Sequence, residues 1–227
     1  MRPVTNASIA EPRAVAHKKM SKKENNERGI GLIQVYTGNG KGKTTAALGT
    51  AIRSVAVGKR VVWVAFDKGG ESHYSERPLI RERLPEMDFF VTGLDRIDPV
   101  TGTFRFGVTE DDRKEGERGL AKVREIFMEA KQDLIILDEI NSSVALGIVK
   151  EKDLLILLEQ KPAHTEIILT GRDAPTSLLE RADLITDMRI VKHYFYQGMR
   201  AREGLDYLST HAYTVPYMTQ WKKLLKS

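Results

Sequence analysis

Leu32-Ile33-Gln34-Val35-Tyr36-Thr37-Gly38-Asn39-Gly40-Lys41-Gly42-Lys43-Thr44-Thr45-Ala46-Ala47 is the stretch on which the fold turns. Its first part, Leu32–Thr37, is a short apolar run that reads as a strand. Its last part opens an Ala-rich helix, Thr44–Val57. Between them, glycines let successive backbone N–H groups face one concavity, and the helix N-terminus adds partial positive charge. Strand, glycine loop and helix in that order are the context of a phosphate-binding loop. Lys43 is placed to reach phosphate oxygens, and the Thr44 hydroxyl to take a position on Mg²⁺. The spacing departs from G-x-x-x-x-G-K-[ST] at one point: Thr37 stands where the first glycine would fall, and Gly38 follows it. Either the shortened loop is a reshaped cradle, or Gly40 compensates.

Outward from this loop, strands and helices alternate. Arg60–Phe66 is a β-branched run, Asp88–Thr92 a shorter candidate strand, and Asp133–Asp138, Thr165–Thr170 and Leu184–Val191 are further strands. Thr109–Lys131 reads as a long charged helix, with Thr109 as N-cap and Asp112 three residues on. Its Leu120, Val123, Ile126, Phe127 and Ala130 fall at helical spacing and should face the core. Lys152–Gln160 and Pro175–Ala182 are the other helices, while 67–78 and 93–108 read as long irregular stretches. The expected fold is α/β: a three-layer α/β/α phosphate-loop (P-loop, RecA-like) architecture with a mainly parallel sheet covered on both faces.

The chain has 227 residues, enough for one such core, with 41% hydrophobic and 30% charged residues, which argues against wholesale disorder. It has no cysteine, which excludes disulfides and thiolate metal sites. No apolar run of membrane-spanning length appears, and the first residues lack the apolar core of a secretory signal. Glu11 and the Lys-rich stretch after His17 run against a transit peptide, so a cytoplasmic setting with no membrane partner is expected. Residues 1–28 carry seven basic and three acidic side chains, and 208–227 carry three lysines and no acid. Removing those ends from the net +5 leaves −2 for the body, so the basic character lies in the ends and no nucleic-acid partner is expected. The expected organisation is a basic, flexible or partly helical N-terminal segment (1–28), a nucleotide-binding catalytic domain (29–207) and a C-terminal extension of the same domain (208–227).

Leu134-Ile135-Ile136-Leu137-Asp138-Glu139 is an apolar strand ending in two acids. Beside a phosphate loop, this is where a carboxylate handles Mg²⁺ or water. Alternation along a strand means that only one of Asp138 and Glu139 points straight at the ligand. Thr170-Gly171-Arg172 ends another strand. Arg172 either neutralises a polyphosphate through two parallel hydrogen bonds or is a surface arginine after a turn glycine. Arg53, over two turns beyond Thr44, reads on spacing alone as a surface or salt-bridging residue.

These blocks together resemble the ATP:corrinoid adenosyltransferases of vitamin B12 metabolism, the bacterial phosphate-loop type. The likeness is dense from Val35 to Ala47, shortened loop included. It continues at Gly49-Thr50-Ala51, Arg53, Gly58-Lys59 and Lys68-Gly69. It returns at Leu137–Asn141, Gly147, Thr170-Gly171-Arg172 and Ala182-Asp183. It closes with Val191-Lys192-His193, Phe195, Gly198, Ala201, Gly204 and Asp206-Tyr207, so that it runs roughly from Glu27 to Tyr207. The resemblance implies that a Co(I) corrinoid attacks C5′ of ATP and that triphosphate leaves. ATP would lie in the reverse of the usual phosphate-loop orientation. It assigns the triphosphate to Gly40, Lys41, Gly42, Lys43, Thr44 and Thr45, with Arg53 and Arg172; Gly38 and Asn39 complete the expected nucleotide-binding set. It assigns catalysis to Lys43 and Glu139, and Mg²⁺ to Thr44 and Glu139, with Asp138 as a further candidate. A flavoprotein reductant and a homodimer follow from the same likeness, with Lys18–Arg28 as the segment that would cover the partner's site.

The sequence departs from the family at the corrinoid. The family pattern after the third strand is Thr-Gly-Phe-x-Trp, whose aromatics press against the corrin's lower face; here it is Thr92-Gly93-Leu94-Asp95-Arg96. Leu94 supplies some apolar bulk, Arg96 is charged, and Phe104 and Phe106 are the candidates to replace the pair. Residues 208–227, with Tyr213, Tyr217 and Trp221, extend past the family's usual end. Two rival readings are a nucleotide-binding regulatory paralogue without corrinoid chemistry and an ordinary RecA-like ATPase.

Overall fold

The computed structural model describes residues 31–70, 74, 76–96, 105–199, 202 and 204–205. In chain order its elements are β1 (Ile33–Thr37), α1 (Lys43–Val55), β2 (Val61–Ala65), α2 (Glu76–Arg83), β3 (Met87–Val91) and α3 (Glu110–Glu129). There follow β4 (Leu134–Asp138), α4 (Ile140–Ala145), α5 (Glu151–Glu159), β5 (Glu166–Thr170), α6 (Thr176–Arg181) and β6 (Leu184–Asp187). A 3-10 turn, Tyr194–Gln197, comes last. The strands form one six-stranded sheet in the order β3-β2-β4-β5-β1-β6. Every pairing in it is parallel.

The sheet's position follows from β2 and β4, which are buried along their whole length. An apolar run without polar alternation can only sit between two covering layers. Successive side chains duly enter opposite cores. Val62, Val64, Ile135 and Leu137 join Leu120, Val123, Ile126 and Phe127 of α3 and Leu154, Leu157 and Leu158 of α5. Val61, Trp63, Leu134 and Ile136 join Ala47 and Ala51 of α1 and Ile80 of α2. Each fully buried aliphatic side chain contributes about 1.5–3 kcal/mol. This is the expected three-layer P-loop architecture, with a sheet that is wholly rather than mainly parallel.

Three expectations need correction. Ala130 does not face the core: it is exposed and caps the C-terminus of α3 in the left-handed region. The last strand stops at Asp187 rather than Val191. Beyond it the chain turns to the phosphate loop, with Met188 N–H donating to Thr37 O at 2.9 Å and Met188 O accepting from Gly40 N–H at 2.6 Å. The stretch 67–78 is not wholly irregular, because α2 begins at Glu76. Pro78 stands in its first turn, where a missing N–H costs nothing. The α3 N-terminus is as expected: Thr109 and Asp112 form a reciprocal capping box. The N-terminal segment 1–28 with Lys18–Arg28, the extension 208–227, and Phe104 lie outside the described residues.

Candidate active site

All strands point the same way, so the loops at their C-terminal ends converge, and this is where α/β sheets bind ligands. A cleft of about 940 Å³ opens there. Residues 39–45, Glu139, Ser142 and Arg172 line it, with an apolar and aromatic set that includes Leu146, Ile190, Tyr194 and Leu205.

The shortened loop is braced from outside. Gly38 takes a left-handed turn at φ 93°, open to glycine at no steric cost. Gly40 packs so closely on the chain after β6 that an added Cβ would lie 2.6 Å from Met188 O. Asn39 Oδ1 accepts from Ile190 N–H at 3.2 Å. Lys43 is 9% exposed, and its ammonium donates to the carbonyls of Gly38 and Gly40 at 2.7 Å each. Burial and the nearby Arg172 charge lower its pKa from the ordinary lysine value. The first turn of α1 carries no acid. An anion at this helix N-terminus therefore meets aligned N–H groups and a cation without competition.

Behind the loop, one strand separates β1 from β4: β5, whose Thr170 stands between the two. Asp138 Oδ1 accepts from Thr170 Oγ1 at 2.6 Å and from Thr44 Oγ1 at 3.0 Å. Its Oδ2 lies 2.5 Å from Lys68 Nζ, which is also 3.6 Å from Glu139 Oε1. Burial acts to lower the Lys68 pKa, but the charges of Asp138 and Glu139 outweigh it and raise the ammonium above its ordinary value. Glu139 leaves β4 in the left-handed region, at φ 59°. That turns its carboxylate out of the sheet to the cleft, while Asp138 stays beneath at 1% exposure. Glu139 Oε2 accepts from Ser142 Oγ at 2.8 Å, and the same hydroxyl accepts from Arg172 N–H at 2.9 Å. Asp67 and Asp173, which follow β2 and β5, are also left-handed, at φ 50° and 53°. Backbone strain is thus concentrated at the strand ends that frame the site. The arrangement suits an extended polyanion held by backbone N–H groups, Lys43 and Arg172 beside an oxygen-ligated cation.

Comparison with known proteins agrees with this chemistry. The model of the family described as ATP:corrinoid adenosyltransferase BtuR/CobO/CobP matches residues 29–207. This chain belongs to that family. A corrinoid adenosyltransferase of Escherichia coli is 36% identical over 184 residues, covering 78% of this chain and 86% of that protein. One from Sinorhizobium sp. is 32% identical over 203 residues, covering 88% and 89%. One from Salmonella typhimurium is 34% identical over 177 residues, covering 78% and 86%. As a member of the ATP:corrinoid adenosyltransferases, the chain is a transferase that acts on ATP and a corrinoid.

Of the residues singled out in the sequence, the structure brings Asn39, Gly40, Lys41, Gly42, Lys43, Thr44, Thr45, Glu139 and Arg172 to this cleft. Gly38 contributes its carbonyl to Lys43, and Asp138 bonds to Thr44 from below. Arg53 is exposed in the last turn of α1 and is not among the residues lining the cleft. Leu94 is part-exposed and Phe106 is 86% exposed, and neither lines it. Arg96 has partners: Nε lies 2.8 Å from Asp67 Oδ1 and Nη1 donates to Gly107 O at 2.8 Å. It is a clamp between the end of β2 and the loop before α3. Sequence reasoning missed the roles of Lys68, Ser142 and Thr170. Lys68 and Thr170 left a trace only as members of blocks that resemble the family, and Ser142 left none.

Proposed function

We propose that this chain transfers the 5′-deoxyadenosyl group of ATP to the Co(I) centre of a corrinoid and releases triphosphate, in the making or salvage of adenosylcobalamin. The observation that carries the reading is the short loop, its lysine and Glu139 converging on one cleft in a chain of this family. The cobalt electron pair attacks C5′, a cobalt–carbon bond forms, and the C5′–O bond breaks with its electrons on the triphosphate. Negative charge grows on the leaving group, so donors fixed around it stabilise the transition state more than bound ATP. Lys43, the N–H groups of residues 40–45 and Arg172 fill that role. Their chemistry holds a leaving group and needs no base aimed at a water. Family likeness alone, and not the lining of the cleft, adds Arg53 to the polyphosphate set and assigns Leu94, Phe104 and Phe106 to the corrinoid's side.

Thr44 and Glu139 present oxygen donors alone, as Mg²⁺ requires. Bound there, the ion supplies positive charge to the polyphosphate. The chain has no cysteine and so no dithiol of its own. Reduction to Co(I) therefore falls to a partner, in our reading a flavoprotein. A homodimer and a cytoplasmic setting complete the proposal.

The test is anaerobic incubation with ATP, Mg²⁺ and chemically reduced cobalamin, with absorbance following the cobalt–carbon product and phosphorus NMR the phosphates. Alkylated corrinoid and triphosphate in equal amounts are expected, with turnover reduced in Glu139→Gln. ADP as the main product would overturn the reading in favour of an ordinary ATPase.

A further inference from the structure

Asp138 ends a central strand of a phosphate-loop protein and accepts from the loop threonine, the setting in which a carboxylate ordinarily serves Mg²⁺. Here three of its roughly four acceptor positions are already filled. Oδ1 is taken by Thr44 and Thr170, and Oδ2 by Lys68. The Lys68 ammonium is 2.5 Å from Asp138, 3.6 Å from Glu139 and 3.4 Å from Thr44 Oγ1. It therefore stands among the very oxygens that a cation would seek. We propose that Lys68 is a positioning residue that fills the cation-facing side of Asp138, leaving the metal to Glu139 and Thr44 and only when ATP brings it. The inference rests on the Mg²⁺ position proposed above.

The lysine is not a side chain that happens to fall there. Its N–H donates to Thr92 O at 3.0 Å, and its carbonyl accepts from Arg77 Nη2 at 2.5 Å. Arg77 Nη1 holds Gly70 O at 2.7 Å, and the guanidinium lies 3.7 Å from the centre of the Tyr74 ring. Arg77 is 1% exposed. A buried arginine that spends two N–H groups on one short loop fixes the backbone from which Lys68 reaches inward. With one of the two carboxylates neutralised, the protein alone offers a divalent cation little. Consistently, among the described residues no group of three or more His, Cys, Asp or Glu could hold a metal ion. Metal and nucleotide then enter together, and the cation is directed to the rim of the cleft rather than to its buried floor.

The experiment titrates Mn²⁺ alone into nucleotide-free protein and reads free Mn²⁺ by electron paramagnetic resonance. Wild type should bind weakly. Removing the ammonium leaves two uncompensated carboxylates within reach of one ion, so Lys68→Met should bind Mn²⁺ at least about tenfold more tightly. Adding Asp138→Asn should abolish the gain. Lys68→Gln keeps a donor to Asp138 and should gain in the same direction, which covers the case of an unfolded Lys68→Met. A residue that merely supports the fold would lower the melting temperature and leave metal affinity unchanged. Folded Lys68 variants with wild-type Mn²⁺ affinity, or a gain that survives Asp138→Asn, would overturn the proposal. A separate titration with ATP present keeps the two ideas apart. ATP-dependent Mn²⁺ uptake that Glu139→Gln weakens supports the metal site itself. Its absence in wild type would remove that site and this inference with it.

Discussion

Lys43 reaches across its own loop to two carbonyls, so its charge is already aimed before any phosphate is considered. Lys43→Ala should therefore lower ATP affinity by the strength of one or two charge-assisted hydrogen bonds, about 2–4 kcal/mol, or roughly 30- to 700-fold in Kd. Calorimetric titration checks this, with circular dichroism to establish that the fold is intact; unchanged affinity and turnover would remove Lys43 from the site. Its role was legible because loop, lysine and threonine are contiguous. Lys68 was not, because its partners Thr44 and Asp138 lie 24 and 70 residues away and only the sheet brings them together. Glu139 and Asp138 fall between these cases. Strand alternation correctly required the two acids to part. What decided which of them faces the cleft was the left-handed turn at Glu139, a conformation that a non-glycine residue pays roughly 1–2 kcal/mol to hold and that no local pattern announces.

At the scale of elements, α3 was the most legible, because its capping box and apolar stripe are both local. The described residues that flank its start, Arg96 and Arg105, were not, since ion pairs with Asp67 and Asp112 hold them. Asp112, buried in the first turn of α3, takes a two-pronged contact from Arg105 at 2.6 and 2.9 Å as well as the Thr109 N–H. The Arg105 hydrogen bonds, opposed by burial and aided by Thr109, hold its carboxyl well below the usual range. A depressed folded pKa stabilises above the unfolded value, near 3.9, and the benefit fades as pH falls toward the folded one. Asp112→Asn should thus cost about 1–3 kcal/mol at pH 7 in urea unfolding. At pH 3 the gap to wild type should narrow by about 1 kcal/mol. An equal gap at both pH values would mean that Asp112 acts by shape, not charge. The short β6 and the helix α2 were missed for a related reason. A strand that ends to brace a loop, and a helix opened through a proline, depend on what the rest of the chain does there.

On the scale of the whole molecule, the phosphate loop, Glu139 and Arg172 share one cleft, whereas Leu94 and Arg96, which stand where the resemblance expects two aromatics, do not line it. Arg96 cannot simply be exchanged for the family's aromatic, because it ties Asp67 to the carbonyl of Gly107. Burial raises the Asp67 pKa and Arg96 opposes that rise, so Arg96→Trp would leave a part-buried carboxylate without its cation. The expected cost is about 1–3 kcal/mol. In the proposed reading the aromatic role falls instead to the stretch before α3, where Phe106 is the candidate among the described residues. At 86% exposure Phe106 buries little apolar surface. Phe106→Ala should change stability by no more than about 0.5 kcal/mol. That separation is what makes the substitution informative. A side chain that pushes the lower ligand from cobalt matters only while cobalt is being reduced. Turnover from Co(II) corrinoid with a flavoprotein reductant should therefore fall, while turnover from pre-reduced Co(I) is largely kept. Equal loss in both assays would assign Phe106 to general substrate binding. No loss in either would shift the search for the lower-face group away from this loop altogether.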